Sequence, residues 1–338
     1  MPDDVKRVAA AFDLGGVILF SRNVAEPAQV RELSREAASL SRDWPLWVSV
    51  DQEGGRVARL RSPFTEWPPM MTLGRSGDMA LADEFGRALA AELRAVGINL
   101  DYTPVLDIHT NSQNPIIGDR AFGTTPEVVA SFGAAVIRSL HAAGVVACGK
   151  HFPGHGDTST DSHLELPLVE HLPDRLDAVE YVPFRAGIEA GLATIMTAHV
   201  LVPSIDADAP ATFSAAIVTG VLKEMLGFDG MVISDDLGMK AVADTWSLPD
   251  AMVKSLQAGC DAVLLCNSTQ DEQTAALEAV IHAMEAGALP VTRVEDALVR
   301  QRRVKARFAD ALQAPPASLS SVGLDAHQRV SDRMAAWL

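Results

Sequence analysis

The stretch Met231-Val-Ile-Ser-Asp-Asp236 is a short apolar run that ends in two carboxylates. Six other short runs rich in β-branched residues occur along the chain, and amphipathic segments with helical periodicity lie between them. The seven predicted strands are residues 17–20, 46–50, 98–105, 145–149, 193–197, 231–234 and 262–265. Strands that alternate with helices indicate a parallel sheet, because each parallel pair needs a long crossover connection.

The predicted helices are residues 27–40, 78–96, 126–143, 176–190 and 214–226, and two further helices, 291–308 and 326–338, are expected to cover the outside. This order predicts an α/β fold of the TIM-like (β/α)8 barrel type. Too few residues precede Val17 for another strand and helix, so we expect an irregular barrel or one that lacks its first β/α unit. Without a repeat or a linker-like segment, residues 1–338 are expected to form a single domain.

Composition narrows the classes of partner. The chain has 28 basic and 44 acidic residues, a formal net charge of −16, which opposes binding to nucleic acid or to anionic lipid surfaces. It has no uninterrupted apolar run of the roughly 20 residues that a membrane helix needs. Cys148, Cys260 and Cys266 lie within apolar segments, as expected for reduced packing residues. These features favour a soluble, cytoplasmic protein, which we expect to be a monomer.

Ionisable residues collect where the predicted strands end. In an α/β barrel the loops after the strands converge at one mouth, and the chemistry takes place there. The residues that follow four of the strands are Asp51, then Lys150 and His151, then His199, then Asp235 and Asp236. Asp235 comes directly off an apolar run, so its side chain is expected at the mouth, whereas Asp236 fits the role of a helix cap.

The densest polar segment is Lys150-His-Phe-Pro-Gly-His-Gly-Asp-Thr-Ser-Thr-Asp-Ser-His163. Its glycine and proline content predicts a structured loop above the barrel. Within this loop, Asp161 lies two residues before His163, close enough to orient the imidazole and raise its basicity. The pair is therefore a candidate acid/base dyad, although both side chains would also suit a purely structural role in the loop.

Six motifs, in this order, resemble family 3 glycoside hydrolases, specifically the bacterial β-N-acetylglucosaminidases that use histidine as general acid/base. The motifs are Gly15-Gly-Val-Ile-Leu-Phe-Ser-Arg-Asn23, Val50-Asp-Gln-Glu-Gly-Gly-Arg-Val57, Asn114-Pro-Ile-Ile-Gly-Asp-Arg-Ala-Phe-Gly123, the loop just quoted, Met196-Thr-Ala-His199 and Ile233-Ser-Asp-Asp-Leu-Gly-Met239. They cover nearly the whole chain. One residue departs from the family pattern, His109, which stands where an acid is usual.

The resemblance implies a retaining exo-β-N-acetylglucosaminidase that acts on peptidoglycan-derived fragments. Asp235 would be the nucleophile and His163 the acid/base, oriented by Asp161. Asp51, Arg120, Lys150 and His151 would hold sugar hydroxyls, His199 would line the pocket, and Arg59 would support a loop. The only expected partner is a small carbohydrate, and neither a cofactor nor a metal is implied.

Four alternatives remain open from the sequence. The same site in a phosphorylase would use phosphate as acceptor, and a β-glucosidase would dispense with the acetamido group, although the loop motif argues against the latter. A metal-dependent amidohydrolase also collects histidine, lysine and aspartate at strand ends, but its usual His-X-His pair is missing from the sequence. A non-catalytic sugar-binding protein would not need both Asp235 and the Asp161/His163 pair.

Overall fold

The computed structural model describes residues 1–158 and 166–338. Its strands β1 to β9 are Gly16–Leu19, Trp47–Val50, Gln52–Gly54, Val57–Ala58, Leu100–Asp101, Val146–Phe152, Thr194–Thr197, Met231–Asp236 and Ala262–Leu264. Its α-helices α1 to α13 are Asp3–Phe12, Pro27–Ala38, Met71–Ser76, Met79–Ala95, Pro126–Ala142, Pro173–Ala178, Tyr181–Glu189, Lys240–Ala243, Leu248–Ala258, Gln270–Glu285, Val291–Arg307, Ala309–Gln313 and Asp325–Ala335. A π-wound helix spans Ala216–Met225, and short 3-10 turns span Ser21–Asn23, Gly118–Arg120, Ala211–Phe213 and Leu319–Ser321.

Seven of the strands form one parallel sheet in the order β1-β2-β5-β6-β7-β8-β9. Consecutive strands of this sheet are neighbours, so the sheet curls in one direction, and helices pack on its outer side. The remaining two strands, β3 and β4, pair as a small antiparallel hairpin directly after β2. The α/β prediction is confirmed, and so is the irregular barrel: within the described residues the sheet contains seven parallel strands.

The strand predictions were wrong in length at two places that matter for the site. The run at residues 98–105 shrinks to β5, because Pro104 lacks the N–H that would continue the ladder. Conversely, β6 continues through Phe152, so Lys150 and His151 are its last polar residues rather than the start of a loop. The predicted helix 176–190 is in fact two, α6 and α7, with a break between Ala178 and Tyr181.

The concave face of the sheet is filled by side chains rather than left as a channel. Cys148 of β6 and Met231 and Ile233 of β8 point into this inner cluster. Val304 of α11 and Phe308, which follows it, pack into the same cluster. Helix α11 therefore supplies apolar cover for an inner face that seven strands do not close.

Polar contacts fix α11 at the amino ends of the two edge strands. The Gln301 side-chain amide donates to the Asp261 carbonyl, just before β9, at 2.7 Å. The Lys305 ammonium lies 3.5 Å from the Gly15 carbonyl, just before β1. Because α11 covers this end, the carboxyl ends of the strands form the open end of the fold.

Asp261 is the main charged anchor of α11, and its removal is expected to destabilise the protein. Its fully buried carboxylate accepts from Lys223 at 2.8 Å, from Arg293 of α11 at 2.5 Å and from the Val232 N–H at 2.9 Å. Asp261→Ala removes the buried acid that Lys223 and Arg293 share and leaves them only the half-exposed Asp296, so the free energy of unfolding in urea should fall by about 3–5 kcal/mol.

The matched control uses another aspartate that pairs with α11. Asp229 is 84% exposed and lies 3.5 Å from Arg303. Asp229→Ala should cost no more than about 1 kcal/mol, because exposed ion pairs contribute little. Equal losses in the two variants would contradict the anchoring role of Asp261.

Candidate active site

A cavity of about 270 Å³ lies at the carboxyl ends of the sheet strands. Side chains from both edges and the middle of the sheet line it: Ile18, Phe20, Asp51, Arg59, Tyr102, Met196, Asp235, Asp236, Met239, Lys240, Leu264, Cys266 and Asn267. The lining is divided about equally between apolar side chains and polar or charged ones. Of the predicted site residues, Asp51 and Asp235 line this cavity directly.

Asp235 reaches the cavity because of its place in β8. Side chains alternate along a strand, and Met231 and Ile233 point inward, so Asp235 does too. Its carboxylate accepts from the Asp236 N–H at 2.8 Å. Burial raises the pKa of this carboxyl, but the nearby imidazoles of His199 and His151, together with that hydrogen bond, outweigh burial and lower the pKa overall. Asp235 is therefore a carboxylate at neutral pH.

Asp236 has a structural role, but not as the helix cap that the sequence suggested, since α8 is capped at Met239. One of its carboxylate oxygens accepts from the N–H groups of Gly238 and Cys266 at 3.1 and 3.0 Å. It therefore fixes the turn after β8 and the chain after β9, which brings Cys266 and Asn267 to the cavity wall.

His199 is buried behind this wall. Its Nδ1 lies 2.8 Å from the Thr212 hydroxyl and its Nε2 lies 3.0 Å from the Asp236 carbonyl. Both ring nitrogens are therefore occupied. Burial lowers the pKa of the imidazole, and the nearby Asp235 carboxylate opposes this shift.

A compact cluster of opposite charges lies beside Asp51. The Asp51 carboxylate accepts from Lys150 at 2.8 Å and from Arg59 at 3.3 Å. Lys150 also lies 2.6 Å from Glu53, and Arg120 binds Glu53 through two parallel 2.8 Å hydrogen bonds. The structure therefore brings Asp51, Lys150 and Arg120 together as predicted, but joins the two cations through a carboxylate that the prediction did not contain.

His151 is oriented from behind by a buried acid. Its Nδ1 lies 2.7 Å from Asp107, whose other oxygen accepts from the His155 N–H at 2.6 Å. Burial opposes ionisation of Asp107, but the His151 imidazole beside it lowers the pKa of the carboxyl. Asp107 therefore fixes both the His151 ring and the first turn of the loop that follows β6.

Asp161 and His163 lie outside the described residues, but both ends of their loop are anchored. Before the gap, the Asn114 amide donates to the His155 carbonyl at 2.8 Å and to the Thr158 hydroxyl at 3.1 Å. Across the gap, Asp157 pairs with His171 and also accepts from the Thr110 hydroxyl at 2.8 Å. The loop thus begins and ends on the rim of the same open end.

The family model described as the N-terminal domain of glycosyl hydrolase family 3 matches residues 1–304. The chain belongs to this family. A β-hexosaminidase of Nitrosomonas eutropha is 43% identical over 284 residues, which cover 82% of this chain and 81% of that protein. Family membership confirms that the chain is a glycoside hydrolase and decides against an amidohydrolase.

Solved structures of family 3 proteins agree. The β-N-acetylglucosaminidase from Paenibacillus sp. str. FPU-7 superposes with a TM-score of 0.94 at 40% identity, over 99% of this chain. The chain spans 64% of that protein's length. The β-N-acetylhexosaminidase from Beutenbergia cavernae superposes with a TM-score of 0.84 at 32% identity, over 90% of this chain and 93% of that one.

Glu53 and Asp107 are the polar residues of this family 3 site that the sequence analysis missed. Glu53 lies two residues after Asp51, and Asp107 lies two residues after the end of the predicted strand 98–105. A carboxylate so close to a strand end was the available signal. What the sequence does not reveal is that each acid is buried against cations or imidazoles from distant segments.

A third buried acid, Asp101, supports the site without facing the cavity. One of its oxygens accepts from the Gln52 N–H at 2.9 Å. Within residues 1–158 and 166–338, its other oxygen meets no donor. Burial raises the pKa of Asp101 to about 8, so the side chain is largely neutral at pH 7.

Asp101→Asn is expected to change how stability depends on pH. Asp101 is protonated in the folded protein up to about pH 8, but it ionises near pH 4 when unfolded. The stability that it contributes is therefore present below pH 4 and is lost as pH rises toward 8. Relative to wild type, the variant should gain up to about 1.4 kcal/mol for each pH unit of this window. Urea unfolding between pH 4 and 9 measures it, and a pH-independent difference would contradict a neutral Asp101.

Proposed function

We propose that the chain is a retaining exo-β-N-acetylglucosaminidase, with Asp235 as nucleophile, His163 as general acid/base and Asp161 as the group that orients His163. The observation that carries the proposal is the Asp235 carboxylate, which lines the cavity at the carboxyl ends of the strands and whose pKa is lowered there. Retention requires a nucleophile that is ionised before the substrate arrives.

The reaction would proceed in two displacements. Asp235 attacks the anomeric carbon while His163 gives a proton to the leaving oxygen, so the C–O bond to the aglycone breaks as the bond to Asp235 forms. His163 then takes a proton from water, which attacks the same carbon and releases Asp235. Both inversions together return the sugar to the β configuration.

Charged groups around Asp51 would hold the sugar. Asp51 can accept from vicinal hydroxyls, whereas Lys150 and Arg120 can only donate. His151, with its ring fixed by Asp107, would add a further contact, and His199 would support the wall behind Asp235. This division of roles follows from the hydrogen-bonding capacity of each side chain.

The names of the relatives support the substrate. Those compared above are a β-hexosaminidase, a β-N-acetylglucosaminidase and a β-N-acetylhexosaminidase. We propose small peptidoglycan-derived fragments with terminal β-linked N-acetylglucosamine as substrates of a cytoplasmic, monomeric enzyme that is one catalytic domain over residues 1–338. Reduced thiols at all three cysteines fit such a compartment. In the described part of the chain, each helix falls short of the length and apolarity needed to cross a bilayer.

Asp235→Ala should abolish hydrolysis of p-nitrophenyl β-N-acetylglucosaminide, with a loss in kcat of at least about 10³-fold. The change removes the nucleophile from an otherwise intact wall, so the melting temperature should stay close to that of wild type. The assay measures p-nitrophenol release for the N-acetylglucosaminide and for the β-glucoside, with and without inorganic phosphate. Retained activity would contradict the role of Asp235, equal rates on the glucoside would contradict the substrate, and phosphate-dependent release of sugar 1-phosphate would indicate a phosphorylase.

His163→Gln should lose more activity on a substrate whose leaving group must be protonated. The p-nitrophenolate group leaves with little protonation, whereas an alkyl alcohol does not, so the loss should be about 10²–10⁴-fold on a methyl glycoside and at least tenfold smaller on the p-nitrophenyl substrate. His171→Gln is the control, because His171 lies at the base of the same loop. The same loss on both substrates would contradict an acid/base role for His163.

A further inference from the structure

Glu53 is a buried acid whose partners all lie within the charge cluster of the site. Its side chain is only 1% exposed, and it is the central group between Arg120 and Lys150. These cations come from separate segments, the 3-10 turn Gly118–Arg120 and the end of β6. A buried carboxylate is tolerated only where such partners compensate its charge, so its position and theirs are mutually dependent.

The backbone of the β3–β4 hairpin is built to place this acid. Gly54, the next residue, has a φ of +107°, and a Cβ there would lie 2.8 Å from the Pro68 carbonyl. Gln52, the preceding residue, closes the hairpin from within by accepting the Arg59 and Leu60 N–H groups at 2.8 and 2.9 Å. The hairpin therefore holds Glu53 rigidly.

A count of donors and partners, taken over the described residues alone, shows what Glu53 controls. Arg120 has five N–H donors; two bind Glu53 and one binds the Ile116 carbonyl at 3.2 Å, which leaves two. Lys150 has three donors; one binds Glu53 and one binds Asp51, which leaves one. The direction of these three remaining donors is set by the bonds to Glu53. Lys150 also adjoins the cavity wall, since its Asp51 partner lines the cavity.

We propose that Glu53 is a positioning residue, which aims the free donors of Arg120 and Lys150 at the sugar hydroxyls through the bidentate and ion-pair contacts that it makes with both. The inference rests on the proposed function. Without Glu53, the Arg120 guanidinium would keep only its hydrogen bond to the Ile116 carbonyl. The Lys150 ammonium would then pair with Asp51 alone. Recognition of particular hydroxyls, rather than the nucleophile, would then fail.

Glu53→Gln tests this with a set of substrates. The variant keeps the volume but places an uncharged amide, with a donor of its own, against two cations. On the parent substrate, kcat/KM should fall about 10- to 100-fold. Deoxy analogues that each lack one sugar hydroxyl extend the test. The kcat/KM of wild type should fall strongly for an analogue that lacks a hydroxyl held by Arg120 or Lys150, and this loss is the deoxy penalty. In Glu53→Gln this penalty should shrink to within about threefold, because the contact is already lost.

Arg56→Gln is the matched control, since Arg56 links the same hairpin to the same segment without touching Glu53. It donates to Asp119 at 2.8 Å and to the Ile116 carbonyl, and it is 47% exposed. Its deoxy penalties should equal those of wild type. Glu53→Asp keeps the charge with a shorter reach and should restore part of the penalty, which keeps the test informative even if Glu53→Gln folds poorly.

The outcomes separate this inference from the proposed function. Equal deoxy penalties in wild type and Glu53→Gln, with a uniform drop in activity, would overturn the positioning role and leave the hydrolase assignment intact. No turnover of any N-acetylglucosaminide by wild type would overturn both. A lost penalty that returns in Glu53→Asp supports the proposal.

Discussion

Burial of Lys150 at the end of β6 is the constraint around which the open end of the fold is arranged. Only 3% of this side chain is exposed, and an ammonium in such a place needs acids close by. Asp51, directly after β2, and Glu53, in the hairpin that follows, supply these acids. These two acids raise the pKa of Lys150 above its usual range despite burial, so the cation persists. Because Asp51 also faces the cavity, the same ion pair that stabilises the strand ends shapes the polar side of the cavity.

The two ends of the sheet have different roles. At the amino ends, α11 packs Val304 and Phe308 into the inner cluster and is anchored by the fully buried Asp261. At the carboxyl ends the strands finish in ionisable groups around a cavity. Seven strands leave an inner face that α11 completes. The packing that stabilises the fold is therefore concentrated at the amino ends, and the charged, partly solvated site residues lie at the carboxyl ends.

The sequence predicted the parts of this fold that have a local cause. Apolar runs bounded by turns located the seven strands of the sheet, and Asp235, which comes directly off one of these runs, lines the cavity at the mouth. The β3–β4 hairpin was missed because Gln52 and Glu53 are polar, and the burial of Glu53 depends on partners far away in sequence, such as Arg120. The break between α6 and α7 was also missed. The spacing of the apolar residues stays helical across the break, although the backbone there does not continue the helix.

Three aspartates show why position in sequence alone does not assign chemistry. Asp101, Asp235 and Asp236 all lie in the last two residues of strands of the same sheet, but they have different roles. Asp236 accepts backbone N–H groups and becomes a fixed part of the turn. Asp101 accepts one such hydrogen bond, from Gln52. The effect of burial is larger, so the pKa of Asp101 rises to about 8.

Asp235 combines nearby imidazoles, which lower its pKa, with a place on the cavity wall. Within residues 1–158 and 166–338, the neighbours that favour its charge do not occupy all of its lone pairs, since the Asp236 N–H binds only one oxygen. A nucleophile needs this combination, an ionised group with an oxygen still free to attack. The chemistry of a carboxylate here is set by the number and kind of its partners, and those partners come from strands and loops that only the fold brings together.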